Sequence, residues 1–99
     1  MDLGTAIKNA RKQKQIRQNV FAEMCNISPT YLSQIENNLK DPTISTLEVI
    51  AKNFEMPLPI LFFLALDKND ISPEKQSAYN LLVPSVKSMV QEFFIPETA

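Results

Sequence analysis

The 99-residue chain contains no histidine, no tryptophan, one cysteine and one glycine. Each scarcity removes a class of chemistry. Without histidine, the commonest general base, proton shuttle and metal ligand is missing. A lone Cys25 supports neither an internal disulfide framework nor a cysteine-built zinc site, so neither a metal site nor a cofactor is expected. Gly4 alone cannot form a glycine-rich phosphate loop, whether G-x-x-x-x-G-K or G-x-G-x-x-G. Catalysis is therefore not expected. The longest apolar stretch, Leu58 to Leu66, is interrupted by Pro59 and falls far short of the ~20 residues a membrane span requires. The N-terminus reaches Lys8, Arg11, Lys12 and Lys14 without the apolar segment of a secretory signal. An intracellular domain that works by binding, with no membrane partner, is the expectation.

What is present is apolar side chain, 44% of the residues. That is enough for one core, although a chain this small buries only ~60–65% of its unfolded surface. The net charge of −1 conceals a polarity. Residues 1–40 hold six Lys and Arg against three acids, whereas residues 41–99 hold four against eight. A basic front half suggests a polyanionic partner for that half.

The apolar residues recur at helical spacing throughout, and no segment alternates as a strand would. An all-α fold follows. Leu3, Ile7 and Ala10 line a first helix, and Phe21, Ala22 and Cys25 a short second one beginning near Gln18. Ser28-Pro29 opens a third helix with an N-cap hydroxyl followed by proline at the first helical position. Leu32 and Ile35 point it inward, and Asn37-Asn38 ends it. A fourth helix presents Leu47, Ile50, Ala51 and Phe54, capped by Thr43 or by Ser45 with Glu48. Met56-Pro57-Leu58-Pro59 leads into a fifth, nearly all-apolar helix that ends about Leu66. A polar segment, Asp67 to Ser72, is the one internal boundary. Beyond it Ala78, Leu82, Val86, Met89, Val90 and Phe93 form one stripe, with Pro84 expected to kink or split the helix that carries it.

Residues 18–37, QNVFAEMCNISPTYLSQIEN, carry the most information. A short helix, a turn of about four residues and a second helix make a helix-turn-helix. Ala22 falls where the helices cross, and Asn26 stands where the chain needs a left-handed residue. With Ile7, Arg11, Gln18, Phe21-Ala22, Ile27-Ser28, Tyr31 to Asn37, Pro42, Leu47, Ile50-Ala51 and Phe54, the sequence resembles the Cro/phage-repressor helix-turn-helix family, also called the xenobiotic-response-element (XRE) family. The resemblance covers roughly residues 3–64. It implies a five-helix lambda-repressor-like DNA-binding domain over 3–66; residues 67–99, outside the resemblance, are read from their own apolar stripe as a C-terminal helical dimerisation segment. Arg17 stands where the family has Thr, and Asn26 and Asn38 where it has Gly.

The same resemblance implies a sequence-specific transcriptional regulator, with repression the expected outcome, acting on double-stranded DNA in the cytoplasm and nucleoid. The helix from Pro29 would lie in the major groove. Thr30, Tyr31, Ser33 and Gln34 would face base edges. Arg17, Gln18, Ser28, Asn37, Asn38 and Lys40 would meet the phosphate backbone. Arg11 and Glu36 occupy the positions of a family ion pair. Cys25 falls on an apolar position and reads as a buried small hydrophobe.

Nothing after Asp67 belongs to the minimal domain. The fifth helix is apolar on more than one face, and the surplus implies a partner surface. Homodimerisation through Phe62, Phe63, Leu66, Leu82, Val86, Met89, Val90 and Phe93 is expected and would suit a palindromic operator. The alternative use of the C-terminal stripe is additional intramolecular core. An antitoxin or anti-repressor type of protein, with these helices binding a different protein, is the other functional reading. No effector-binding fold fits in the ~30 remaining residues, so no small-molecule ligand is expected.

Overall fold

The computed structural model describes residues 1–95. Six α-helices follow one another: α1 (Leu3–Gln13), α2 (Gln18–Met24), α3 (Pro29–Glu36), α4 (Ile44–Asn53), α5 (Leu58–Ala65) and α6 (Gln76–Phe94). Two 3-10 turns, Lys68–Asp70 and Pro73–Lys75, lie between α5 and α6. There is no strand among the described residues.

The starts of the helices follow from local chemistry. Asp2 caps α1 by accepting from the Thr5 N–H, and Ser28 Oγ caps α3 by accepting from the Tyr31 N–H at 3.0 Å. Thr43, not Ser45, caps α4. At α2 the cap position belongs to Arg17, whose side chain makes no capping bond. Four helix ends share one device, a residue with positive φ: Gln15 (59°), Asn26 (58°), Asn38 (59°) and Glu55 (58°). In each case the next residue's N–H bonds back five residues, as Ile16 does to the Arg11 carbonyl and Met56 to the Ala51 carbonyl.

α1 packs on α5 and α3, α2 on α3, and α4 on α5. Ile7, Phe21, Leu32, Ile35, Ile50, Phe54 and Leu61 are fully buried between them. Phe21 and Phe54 stack with ring centres 4.5 Å apart and planes 12° from parallel. The single glycine marks the closest approach. A Cβ on Gly4 would lie 2.6 Å from the Ile35 carbonyl oxygen and 2.7 Å from that of Glu36. α1 can cross the end of α3 only because that Cβ is missing.

α6 departs from expectation in one respect. It runs unbroken through Pro84, and the departure from α-helical geometry comes earlier, in the 3-10 turn at Pro73. Pro84 lacks an N–H and so leaves the Asn80 carbonyl without its helical partner, but this carbonyl lies on an exposed stretch where water can serve. The C-terminal end of α6 returns to the domain, where Ile95 is buried and Phe94 packs against the core.

Candidate nucleic-acid interface

α3 divides cleanly. Leu32, Ile35 and Glu36 are buried, while Thr30 and Asn37 are exposed and Tyr31, Ser33 and Gln34 half-buried. Thr30, Ser33, Gln34 and Asn37 follow one another at three- and four-residue spacing, so they share a face of the helix. This face is polar, carries both donors and acceptors, and belongs to the second helix of a helix-turn-helix. Such a helix presents side chains of this kind to base edges.

The orientation of that face is set from behind by a buried ion pair. The Arg11 guanidinium donates to Glu36 twice, Nε to Oε2 at 2.7 Å and Nη2 to Oε1 at 3.0 Å. Its Nη1 donates to the Ile16 carbonyl at 2.9 Å. Gln18 Nε2 adds a third donor to Glu36 Oε1 at 3.0 Å. Arg11 is 8% exposed and Glu36 3%, and no buried side-chain polar atom among the described residues lacks a partner. One carboxylate thus joins the end of α1, the start of α2 and the end of α3. The pair is more buried than a surface ion pair, and its loss correspondingly more damaging.

Two residues expected at the phosphate backbone have their side chains engaged inside the protein. The Gln18 amide nitrogen serves Glu36. Asn38 accepts from the Gly4 N–H at 3.1 Å and donates to Asp2 Oδ1 at 2.8 Å, tying the exit of α3 to the start of α1. The Asp2 carboxyl is held below its ordinary value, chiefly by the Thr5 N–H and then by Asn38. At Gln18 the first-turn N–H of α2 remains to meet a phosphate, whereas the Asn38 N–H is bonded to the Ile35 carbonyl at 3.0 Å. Asn37 bends back to donate to the Ser33 carbonyl at 2.9 Å. Arg17, before α2, and Lys40, beyond α3, are exposed cations, and Ser28 Oγ is occupied as the cap. Composition alone could not reveal the tie from Asn38 to Asp2 and Gly4. The signal was Gly4 itself, the only glycine, placed inside a helix.

Elsewhere, Cys25 is buried, and burial pushes its thiol up to about 11. No group of three or more potential metal ligands gathers among the described residues. No helix among them is long and apolar enough to cross a membrane.

The residues expected at a dimer contact separate into two groups. Phe62 packs against the core, and Phe63 and Leu66 are half-buried. The Leu66 carbonyl accepts from Tyr79 Oη at 3.2 Å and from Lys87 Nζ, so α6 lies over this turn. Leu82, Val86, Met89 and Phe93 are exposed, and Val90 is half-buried. The apolar surplus of α5 is thus partly covered within the chain, and the uncovered face is on α6.

Comparison with known proteins places this geometry in a family. The helix-turn-helix family profile matches residues 7–61. The chain is 34% identical over 80 residues to an immunity repressor protein of Bacillus phage phi105, covering 81% of this chain and 53% of the relative. It is 41% identical over 59 residues to an ImmF control region 10 kDa protein of the same phage, covering 60% of this chain and 66% of that one. An uncharacterised HTH-type transcriptional regulator of Mycobacterium tuberculosis is 29% identical over 96 residues, 97% of this chain and 59% of its own length. The chain therefore spans about half to two thirds of these relatives. Among solved structures, the clp gene regulator ClgR from Corynebacterium glutamicum shares the fold, with a TM-score of 0.63 at 20% identity over 96% of this chain and 92% of that one. With its helix-turn-helix, its buried clamp and these relatives, the chain belongs to the XRE-type helix-turn-helix family of DNA-binding transcriptional regulators.

Proposed function

We propose that the protein is a repressor that reads a palindromic operator as a homodimer, with α3 of each copy in the major groove. The observation that carries this reading is the polar outer face of α3, held in one orientation by the buried Arg11–Glu36–Gln18 clamp. Thr30, Tyr31, Ser33 and Gln34 approach the bases. Gln34 pairs bidentately with an adenine, and the Thr30 methyl meets a thymine methyl. Arg17, Lys40, Ser28 and Asn37, with the backbone N–H of Gln18, hold the phosphates. The acidic overall composition is no obstacle, because the cations lie in the half that carries the motif. Repression rather than activation is supported by the likeness to an immunity repressor.

Selection of bound sites from random DNA would supply the operator, and two substitutions then divide the roles. Gln34→Ala should weaken the selected site by ~1–3 kcal/mol and relax one base position. Lys40→Ala should weaken all sequences alike and lower the salt slope by about one unit. Equal loss on random and selected DNA for Gln34→Ala would remove Gln34 from the base contacts.

A further inference from the structure

The exposed residues of α6 carry a pattern that bears on how two copies would meet. At 3.6 residues per turn, Ala78, Leu82, Val86, Met89 and Phe93 fall within about 80° of arc, and all five are exposed. The half-buried set, Tyr79, Val83, Lys87, Val90 and Phe94, occupies a separate arc facing the domain. The outer stripe has a centre of symmetry between Ser85 and Val86. Ala78 and Phe93 are equidistant from it, and so are Leu82 and Met89. The smallest side chain of the stripe is thereby matched with the largest. Beside Ala78 and Leu82 opens an apolar groove of about 250 Å³, lined also by Ile71, Lys75, Tyr79 and Val83. At the other end Phe93 stands 77% exposed.

We propose that a second copy of the chain covers this stripe with α6 antiparallel to α6, Phe93 of each copy seated in the partner's groove at Ala78, Leu82 against the partner's Met89, and Val86 at the two-fold axis. The pairing rests on the homodimer reading above and gives it a register. A two-fold contact requires that residue i meet j while j meets i, and a stripe whose sizes are matched about its centre satisfies this condition. A parallel pair would instead oppose Phe93 to Phe93 and Ala78 to Ala78, crowding one end and leaving a void at the other. Charge agrees. Between Gln76 and Gln91 the one charged side chain is Lys87, and its ammonium turns inward onto the Leu66 carbonyl. The middle of the contact therefore buries no unpaired ion, and at its ends the antiparallel order brings Glu92 of one copy to the end where the other carries Lys75. Lys75, in the groove, comes beside the C-terminal end of the partner's α6, where the helix carries partial negative charge.

Single cysteines placed in the full chain at 82, 86 and 89 test the register. Cys25 stays out of the reaction, buried and with its thiol raised to about 11. In the antiparallel pair Val86 lies within a residue of its twin, whereas Leu82 and Met89 are each about 10 Å from theirs along the axis, beyond the ~7 Å limit for a disulfide. Val86→Cys should therefore form a covalent dimer under mild oxidation roughly tenfold or more faster than Leu82→Cys or Met89→Cys alone. An equimolar mixture of the last two should cross-link. Self-linking at all three positions would mean parallel helices and overturn the proposal. No linking at any of them, with the unmodified chain sedimenting as a dimer, would move the contact to another face while leaving the homodimer intact. A monomer at tens of micromolar would remove both readings together and assign the stripe to a different protein.

Discussion

α1 to α5 and α6 are equally helical and similarly supplied with apolar residues, yet they use them in opposite ways. In the first region Ile7, Phe21, Leu32, Ile50, Phe54 and Leu61 are withdrawn from water completely. In α6 no residue is buried, and its Leu81, Leu82, Val86, Met89 and Phe93 are among the most exposed large hydrophobics of the chain. The difference is one of partners. Five short helices crossing one another supply walls on every side of a common centre. A single long helix lying over one edge has a second face that no other described residue covers. The first region forms a core to which the chain after α5 adds only Ile95 and Phe94 at the end of α6, and the second keeps an apolar face in water.

The comparison breaks most visibly at the clamp. Glu36→Ala would leave the Arg11 guanidinium buried with only the Ile16 carbonyl as a partner. An uncompensated buried charge of this kind destabilises by about 3–5 kcal/mol. A urea melt of Glu36→Ala should show that loss, and the double variant with Arg11→Ala should be less damaged than the two single losses added together. A loss below about 1 kcal/mol would mean that the pair behaves as a solvated surface contact.

Next in size is the crossing of α1 and α3. Gly4→Ala would gain roughly 1 kcal/mol of helix propensity. Its new methyl, however, would sit 2.6 Å from a backbone carbonyl oxygen that no rotamer change can move. A net loss of about 1–3 kcal/mol is expected, as for other overpacked contacts. Thermal unfolding measures it, and an unchanged or raised midpoint would show that α1 can shift off the end of α3.

How much of this could be read beforehand depended on whether the signal was local. The helix-turn-helix was legible because its determinants lie within twenty residues: the Ser28-Pro29 start, Ala22 at the crossing, and Asn26 at the turn. Asn26 and Asn38 announce their positive φ, since asparagine tolerates it. Gln15 and Glu55 adopt the same conformation and gave no such warning. There the helix ends are imposed by Ile16 and Met56 turning back toward the core, a tertiary effect. Thr43 and Ser45 offered two equally plausible caps, and only the observed Thr46 N–H bond separates them. Pro84 misled for a related reason. Proline disfavours a helix interior by removing one hydrogen bond and crowding one carbonyl, and on an exposed helix water replaces that bond. For the site, spacing indicated which residues line α3, but it could not show that the Gln18 and Asn38 side chains face the protein. Those bonds join positions 18 and 34 residues apart.

The smallest expected effect is the one that sharpens the comparison most. Phe93→Ser removes the largest exposed apolar side chain of α6, and a surface substitution away from any packing contact usually changes stability by less than ~0.5 kcal/mol. If α6 completes its outer face only with a second copy, the consequence should depend on concentration, because association stabilises the folded state by mass action. At submicromolar protein the unmodified chain and Phe93→Ser should unfold at the same denaturant concentration. As protein is raised, the midpoint of the unmodified chain should climb while that of the variant stays behind. The same α3 face is present in both, so binding to a single half-site should be equal at low concentration. A deficit in Phe93→Ser that is large and independent of concentration would place Phe93 in the folded monomer's own packing. In that event the two regions would be one core, and the contrast between them would reflect the position of one helix rather than the need for a partner.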